Sequence, residues 1–423
     1  MGVAEEPRKR VIMDMSQEYG TETMQQKFQV NFAYSVSFTH QLFDLNNQLL
    51  IDTLRNSGEM GPYRVQVYVD DGVAEAHPQL IQRIHNYMQH YADVFELCAP
   101  PSFIPGGEQA KNGWNIVRNI MTDIGNVHLD RHSFVIVIGG GSVLDSVGFA
   151  ASVVHRGVRL IRVPTTVLAQ NDGGVGVKTG MDEHGAKNFV GTFAPPYAVL
   201  ADFSFLPTLK DKYWLGGVAE AFKVAIIKDA PFFEYLESNV SALAQRDAEV
   251  IEVVIKRTAL LHLEHIRTNG DPFELGAARP LDFGHWSAHK LELISNYRLG
   301  HGQAVAIGIA LDSHYAALTG FLTKDEALRI QQAFTTMGLP VWDALLEART
   351  DSGEYEILKG LEEFREHLGG ELTVTLPQGI GEKVEVHEMD VDLLMKAVQN
   401  LKASCAAHPV AVQHGVGTGS AGI

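Results

Sequence analysis

Four short apolar runs rich in β-branched residues punctuate the first half of the chain: YRVQVYVDD (63–71), SFVIVIGGG (133–141), VRLIRVPTT (158–166) and YAVLADF (197–203). Each ends in Gly, Asp or Thr-type positions, and near-continuous apolar runs of this length read as buried strands. Helical patterns such as LIQRIHNYMQHYADVF and SVLDSVGFAASVVHR separate them. Strands that alternate with helices predict a largely parallel α/β sheet with helices on both faces. After about residue 208 the texture changes. YWLGGVAEAFKVAII, EVIEVVIKRTALLHLEHI and DEALRIQQAFTTMGL are long amphipathic segments, and strand character returns only at ELTVTLP (371–377). An α/β domain over 28–208 followed by a mostly helical domain over 209–403 is the division this predicts.

A chain of 423 residues exceeds what one core usually serves, and 45% apolar content is ample for two. The ends differ from the rest. Residues 1–27 are charged and aperiodic and 404–423 are Gly-rich with almost no charge, so both are expected to be flexible. The 34 basic residues against 51 acidic ones leave a net charge of -17, which argues against nucleic-acid or anionic-membrane partners, since both need basic surface. An anionic substrate would need a local basic pocket. Only Cys98 and Cys405 occur, no signal-like apolar segment opens the chain, and no run reaches the length of a membrane span. The expectation is a cytoplasmic protein without a disulfide framework.

Three features carry candidate chemistry. In VIVIGGGSVLDSVGFAA a buried strand runs into three glycines and a helix, so backbone can approach a diphosphate that also meets the helix N-terminus. The form is GGGSxxD rather than GxGxxG; Ser142 is the candidate N-cap and Asp145 lies in the first turn. The stretch VPTTVLAQNDGGVGVKTGMDEHGAKNFVG (163–191) reads as a long polar loop, in which Lys178, Lys187 and Asn188 can donate to phosphate or hydroxyl oxygens and Asp172 can accept. In DFGHWSAHKLELISNYRLGHGQ, His285 and His289 share a helix face, and a turn can bring in His301. Two such imidazoles suit Zn²⁺ if a third ligand exists, and Glu220, a carboxylate on the apolar GGVAEAFK segment with Lys223 beside it, is the best candidate. Taken singly, each feature has a bland reading as a tight turn, a solvated loop or structural histidines.

Together, PGGEQAKN, GGGSVLDSVGFAA, RVPTTVLAQNDGGVGVKTG, KNFVGTF, GGVAEAFK, DFGHWSAH and HGQAVAIG resemble, in order and spacing over residues 63–385, the dehydroquinate synthase-like superfamily of sugar phosphate cyclases. The resemblance implies a Rossmann-like NAD-binding α/β domain, a mostly α-helical metal-binding domain and a homodimer. It implies Glu220, His285 and His301 as ligands of Zn²⁺ or Co²⁺, which leaves His289 to catalysis or phosphate. Cofactor contacts would be Asp70, Glu108, Lys111, Gly140, Gly141, Asp145, Thr165, Thr166, Asp172 and Lys187. Substrate contacts would be Asp172, Lys178, Asn188, Lys223, Asp282, His289 and Arg365, with Arg156 reaching a phosphate of the neighbouring subunit; Lys178, Lys223, His289, Asp172 and Asn188 would carry catalysis.

The departures narrow the substrate. Dehydroquinate synthase holds a substrate carboxylate with a lysine and an arginine, and those positions fall here on Glu264 and Ala278, with Arg279 one place away. A carboxylate facing Glu264 would be repelled and would lack its bidentate partner. LDFGHWSAH, with Asp282 in place of the family asparagine, looks like the 2-epi-5-epi-valiolone synthases, which take sedoheptulose 7-phosphate. On the family pattern NAD⁺ takes a hydride, phosphate is eliminated, the ketone is reduced again and an aldol closure makes the carbocycle, so the enzyme is a lyase with no net redox change. The alternatives are a 3-dehydroquinate synthase acting on 3-deoxy-arabino-heptulosonate 7-phosphate, a glycerol dehydrogenase-like enzyme, and a non-catalytic NAD sensor.

Overall fold

The computed structural model describes residues 24–184, 186–268, 271, 273, 280–367 and 369–407. The chain divides into two compact units, Met1–Ala33 and Tyr34–Ile423. Of the first, residues 24–33 have no regular secondary structure. The second opens with β1 (Ser35–Thr39), α1 (Leu49–Arg55), β2 (Tyr63–Asp70), α2 (Asp71–Ala76), α3 (Leu80–His90), β3 (Phe95–Leu97), β4 (Ser102–Ile104) and α4 (Trp114–Asn126). There follow β5 (Phe134–Gly139), α5 (Gly141–Val153), β6 (Arg159–Pro164), α6 (Val167–Asn171), β7 (Lys178–Glu183), β8 (Ala186–Phe193) and β9 (Ala198–Asp202).

Seven of these strands form one sheet, ordered β1-β9-β6-β5-β2-β3, with every pairing parallel. Its last edge is split: β3 pairs with the start of β2 and β4 with its end, because Pro100 and Pro101 between them cannot donate to a ladder. Successive residues of β5 face opposite sides, as the pleat requires. Phe134, Ile136 and Ile138 pack with Leu50, Ile84 and Tyr87 of α1 and α3, whereas Val135 and Val137 pack with Val117, Ile120, Val143 and Val147 of α4 and α5. The chain leaves β2 toward β3 and then returns to place β5 and β6 on its other side. The C-terminal ends of β2 and β5 therefore flank a topological switch point, the usual place for a ligand in such sheets.

The second half contains α7 (Asp211–Lys228), α8 (Ala230–Ser238), α9 (Val240–Ala244), α10 (Ala248–Thr268), α11 (His285–Ile294), α12 (His301–Thr319), α13 (Lys324–Thr336), α14 (Lys359–His367), a small antiparallel pair β10 (Val374–Pro377) and β11 (Lys383–Val386), and α15 (Val391–Ala407). α7 and α12 are apolar around most of their circumference and are buried at the centre of one core that draws on α8, α10, α11, α13 and α15.

Two expectations need correction, and one strand was not foreseen. The 163–191 stretch is not an irregular loop: α6 and the antiparallel hairpin β7–β8 occupy most of it, with Thr179 and Met181 buried and Gly180 against Gly191 so that the strands pass closely. The edge strand β1, too short for a periodic signal, was not anticipated. The last helix continues to Ala407, four residues into the segment expected to be a loose tail, because Leu394, Ala397, Val398 and Leu401 are buried and Ser404 accepts from Gln331. The rest of that tail, and most of the N-terminal segment, lie outside the described residues. Among the described residues no helix is long and apolar enough to cross a membrane.

Candidate active site

The glycine loop sits at the switch point. Asp70 ends β2 and accepts from the backbone N–H groups of Gly72 and Val73, which caps α2. A side chain on Gly139 would lie 3.0 Å from both Asp70 Cβ and Val143 Cβ, and one on Gly140 would meet Thr166 at 3.3 Å; above Gly141 there is open space. The N-cap of α5 is Gly140, not Ser142, which lies inside the first turn, and no side chain caps the helix N-terminus. These features suit a diphosphate, for which free N–H groups and close backbone approach are needed. Around the loop stand Thr165 and Thr166 after β6, and Lys111, whose Nζ lies 2.8 Å from Asp145 and donates also to Asn188 Oδ1. Burial works against the Lys111 charge, but Asp145 outweighs it and the pKa is raised. Glu108 begins the same turn and is exposed.

The metal-type cluster arises where three helices meet at glycines. A side chain on Gly302 of α12 would lie 2.0 Å from Gly216 Cα of α7, and one on Gly308 would lie 2.0 Å from the carbonyl oxygen of Gly284 before α11. These contacts without side chains bring Glu220, one turn past Gly216, up to His301 and His285. Glu220, His285 and His301 offer ligand atoms that all lie within 4.8 Å of one another. His285 Nδ1 is 3.0 Å from the Phe283 carbonyl oxygen, which can only accept, so the proton is on Nδ1 and Nε2 faces Glu220 Oε1 at 3.6 Å. His301 Nε2 faces the same oxygen at 3.2 Å, and its Nδ1 donates to Glu292 Oε2 at 3.2 Å. One carboxylate oxygen and two Nε2 atoms converge, with the Nδ1 atoms tied elsewhere: a donor set suited to Zn²⁺ or Co²⁺ with positions left over. Burial lowers the His301 pKa, but Glu292 and Glu220 outweigh it and lift it to about 10, so these two carboxylates give the pocket a field that favours positive charge. Lys223 Nζ lies 2.5 Å from Glu220 Oε2. Burial opposes the Lys223 charge, but Glu220 and Asp172 prevail and its pKa is raised.

Asp172 reaches this cluster because α6 packs on α7 at Gly217, where an added Cβ would meet Leu168 N at 2.4 Å, and Asn171 Nδ2 donates to the Gly217 carbonyl. Its carboxylate accepts from His262 Nδ1 of α10 at 2.7 Å. Burial would raise the Asp172 pKa, yet Lys223 and His262 bring it below the ordinary value. Asp282, just ahead of His285, adds its charge to the field at Lys223. His289 opens toward solvent with its ring 5.3 Å from that of His285. From the hairpin, Lys187 Nζ lies 2.8 Å from Glu292 Oε1, Asn188 is held at φ +53° with its N–H on Asp182, and Lys178 has an exposed side chain.

Two expected contacts stand apart from this cluster. Arg156 is exposed just past the C-terminus of α5, a helix of 13 residues and so ~20 Å from the glycine loop. Arg365 of α14 is exposed and bound to Glu362 at 2.8 Å. Glu264 is half-exposed, 3.9 Å from Arg267, and Ala278 and Arg279 lie outside the described residues. Four residues of consequence were missed. His262 and Glu292 touch Asp172 and His301 directly. Arg162, fully buried in β6, donates to the carbonyls of Gly174, Gly176 and Lys178 and so shapes the approach to β7. Asp312 of α12 accepts from Trp286 Nε1 at 2.9 Å and Gly284 N at 3.2 Å, which fixes the start of α11. Glu292 alone carried a signal, since it falls on the helix face of His285 and His289.

Comparison with known proteins adds a second line of argument. Residues 102–215 match the 3-dehydroquinate synthase N-terminal family model and 217–355 the C-terminal one. The chain is 34% identical over 363 residues to a 2-epi-5-epi-valiolone synthase of Streptomyces glaucescens, covering 84% of this chain and 87% of that protein. It is 37% identical over 238 residues to a 3-dehydroquinate synthase of Campylobacter hominis, covering 56% and 67%. The solved 2-epi-5-epi-valiolone synthase of Streptomyces hygroscopicus subsp. jinggangensis, which has NAD⁺ and Zn²⁺ bound, superposes with a TM-score of 0.79 at 28% identity over 90% of this chain and all of that one.

Proposed function

The chain belongs to the dehydroquinate synthase-like family of sugar phosphate cyclases, and from that premise we propose that it is an NAD- and divalent-metal-dependent lyase that converts a heptulose 7-phosphate, sedoheptulose 7-phosphate by preference, into a carbocyclic C7 cyclitol of the 2-epi-5-epi-valiolone type. The observation that carries this reading is the meeting of Glu220, His285 and His301 with Lys223 and Asp172, in a chain whose glycine loop lies at the switch point. When bound, NAD⁺ would supply a reversible hydride acceptor and the metal a Lewis acid for adjacent hydroxyls.

Glu220, His285 and His301 would hold the metal; the loop from Gly139 with Asp70, Lys111, Asp145, Thr165, Thr166 and Lys187 would hold the cofactor. Lys178, Asn188 and His289 are the groups for the phosphate, whose departure breaks a C–O bond and benefits from donors already in place. Asp172, kept ionised by Lys223 and His262, accepts from a substrate hydroxyl. Lys223, held against Glu220 and in the field of Asp172, is with His289 the group for proton handling near the metal. Glu264 occupies the position where a carboxylate-binding lysine would stand, which favours a substrate without a carboxylate. A homodimer, in which Arg156 serves the partner's phosphate, and a cytoplasmic location complete the proposal.

Phosphate release by purified protein with NAD⁺ and Zn²⁺ or Co²⁺ tests it. Release from sedoheptulose 7-phosphate and none from 3-deoxy-arabino-heptulosonate 7-phosphate is the expected outcome, with no accumulation of NADH. The reverse preference would make the protein a 3-dehydroquinate synthase.

A further inference from the structure

Glu292 is 3% exposed, yet none of the residues assigned to metal, cofactor or substrate above includes it. It lies on the stripe of α11 that carries His285 and His289. Its two oxygens have different partners. Oε2 accepts from His301 Nδ1 at 3.2 Å, while His301 Nε2 faces Glu220 at 3.2 Å; Oε1 accepts from Lys187 Nζ at 2.8 Å. Lys187 comes from β8 of the α/β half and lies 5.2 Å over the Tyr297 ring, so one carboxylate joins a metal-ligand imidazole to a cation on the cofactor side.

Glu292 could itself be taken for a ligand, since His289, Glu292 and His301 also offer atoms within 4.8 Å of one another. The geometry separates the two roles. Glu220 and the His285 Nε2 atom face the Nε2 side of His301, whereas Glu292 engages Nδ1, the side away from them, and its other oxygen is on Lys187. A carboxylate that accepts from Nδ1–H selects the tautomer with a free Nε2 lone pair, fixes the ring and raises its basicity.

Resting on the metal-and-cofactor reading above, we propose that Glu292 is a positioning residue shared between His301 and Lys187, so that metal affinity and NAD⁺ affinity both depend on this one carboxylate.

The test is direct titration of the full-length protein with Zn²⁺ or Co²⁺ against a chromophoric chelator, and separately with NAD⁺, with no turnover involved. Glu292→Gln keeps the shape and removes the charge; Glu292→Asp keeps the charge and shortens the reach. Metal affinity is expected to fall ~10–100-fold in Glu292→Gln, the range found for groups behind metal ligands, and less in Glu292→Asp. NAD⁺ binding should weaken in Glu292→Gln and in Lys187→Met, with Lys187→Met losing far less metal affinity than Glu292→Gln. A role in packing alone would reverse the order, because Gln is the closer isostere, and that reversal would overturn the proposal. So would a Glu292→Gln protein that binds metal as tightly as wild type. Wild-type protein that takes up no metal would instead sink the reading of the metal centre itself, and this proposal with it.

Discussion

Asp312 illustrates how a single buried residue can tie site geometry to pH. It is wholly enclosed in α12 and accepts from the Trp286 indole and the Gly284 amide, and burial pushes its carboxyl up to about 7 despite both bonds. The folded state thus keeps a proton that the unfolded chain gives up near pH 4, so stability is lost as pH rises from about 4 through about 7. At ~1.4 kcal/mol per pKa unit, the shift of about three units sets an upper limit of ~4 kcal/mol across the window. Urea unfolding at about pH 5 and about pH 8 should show wild type losing stability relative to Asp312→Asn. Parallel pH dependence in the two proteins would mean that Asp312 is ionised in the folded state. His262 makes a related point at the same scale: one of two histidines on an amphipathic helix, it gave no reason for notice until the fold set it 2.7 Å from Asp172.

Among the elements, the crossing of α7 and α12 matters most. Glu220 meets His301 only because backbone touches backbone at Gly216 and Gly302, where a Cβ would be 2.0 Å from a carbon. Gly302→Ala must separate the helices. Overpacking of this kind costs ~1–3 kcal/mol, and the expected result is a lower thermal midpoint together with loss of metal stoichiometry by elemental analysis. A Gly302→Ala protein with full metal content would show that the two helices can slide without opening the cluster. The hairpin β7–β8 makes a comparable contribution from the other half, because Arg162 fastens the chain ahead of β7 through three carbonyls while β8 extends Lys187 to Glu292.

For the whole molecule, the site draws on both halves: Asp172 and Lys187 belong to the α/β half, and Glu220, His262, His285, Glu292 and His301 to the helical one. Ligands that bind only the folded protein stabilise it by mass action, ~2.7 kcal/mol at a hundred times Kd. Prolonged dialysis against a chelator should therefore lower the thermal midpoint and abolish phosphate release, and added Zn²⁺ or Co²⁺ should restore both. Full activity after verified metal removal would contradict the proposed role of the cluster.

The local pattern along the chain was enough to place β2, β5, β6 and β9, the long helices of the second half and the glycine loop, because burial on both faces, helical periodicity and glycine runs are properties of neighbouring residues. The motifs in order also singled out Glu220, His285 and His301 through resemblance, and the fold brings these three together. Spacing by itself could not, since it favoured His289 equally with its neighbours. Which ring nitrogens converge, and the parts played by His262, Glu292, Arg162 and Asp312, were decided by tertiary structure. Those roles depend on distances between residues up to 105 positions apart in the chain, as Lys187 and Glu292 are, and such distances are set by where sheet and helices pack, not by any local pattern.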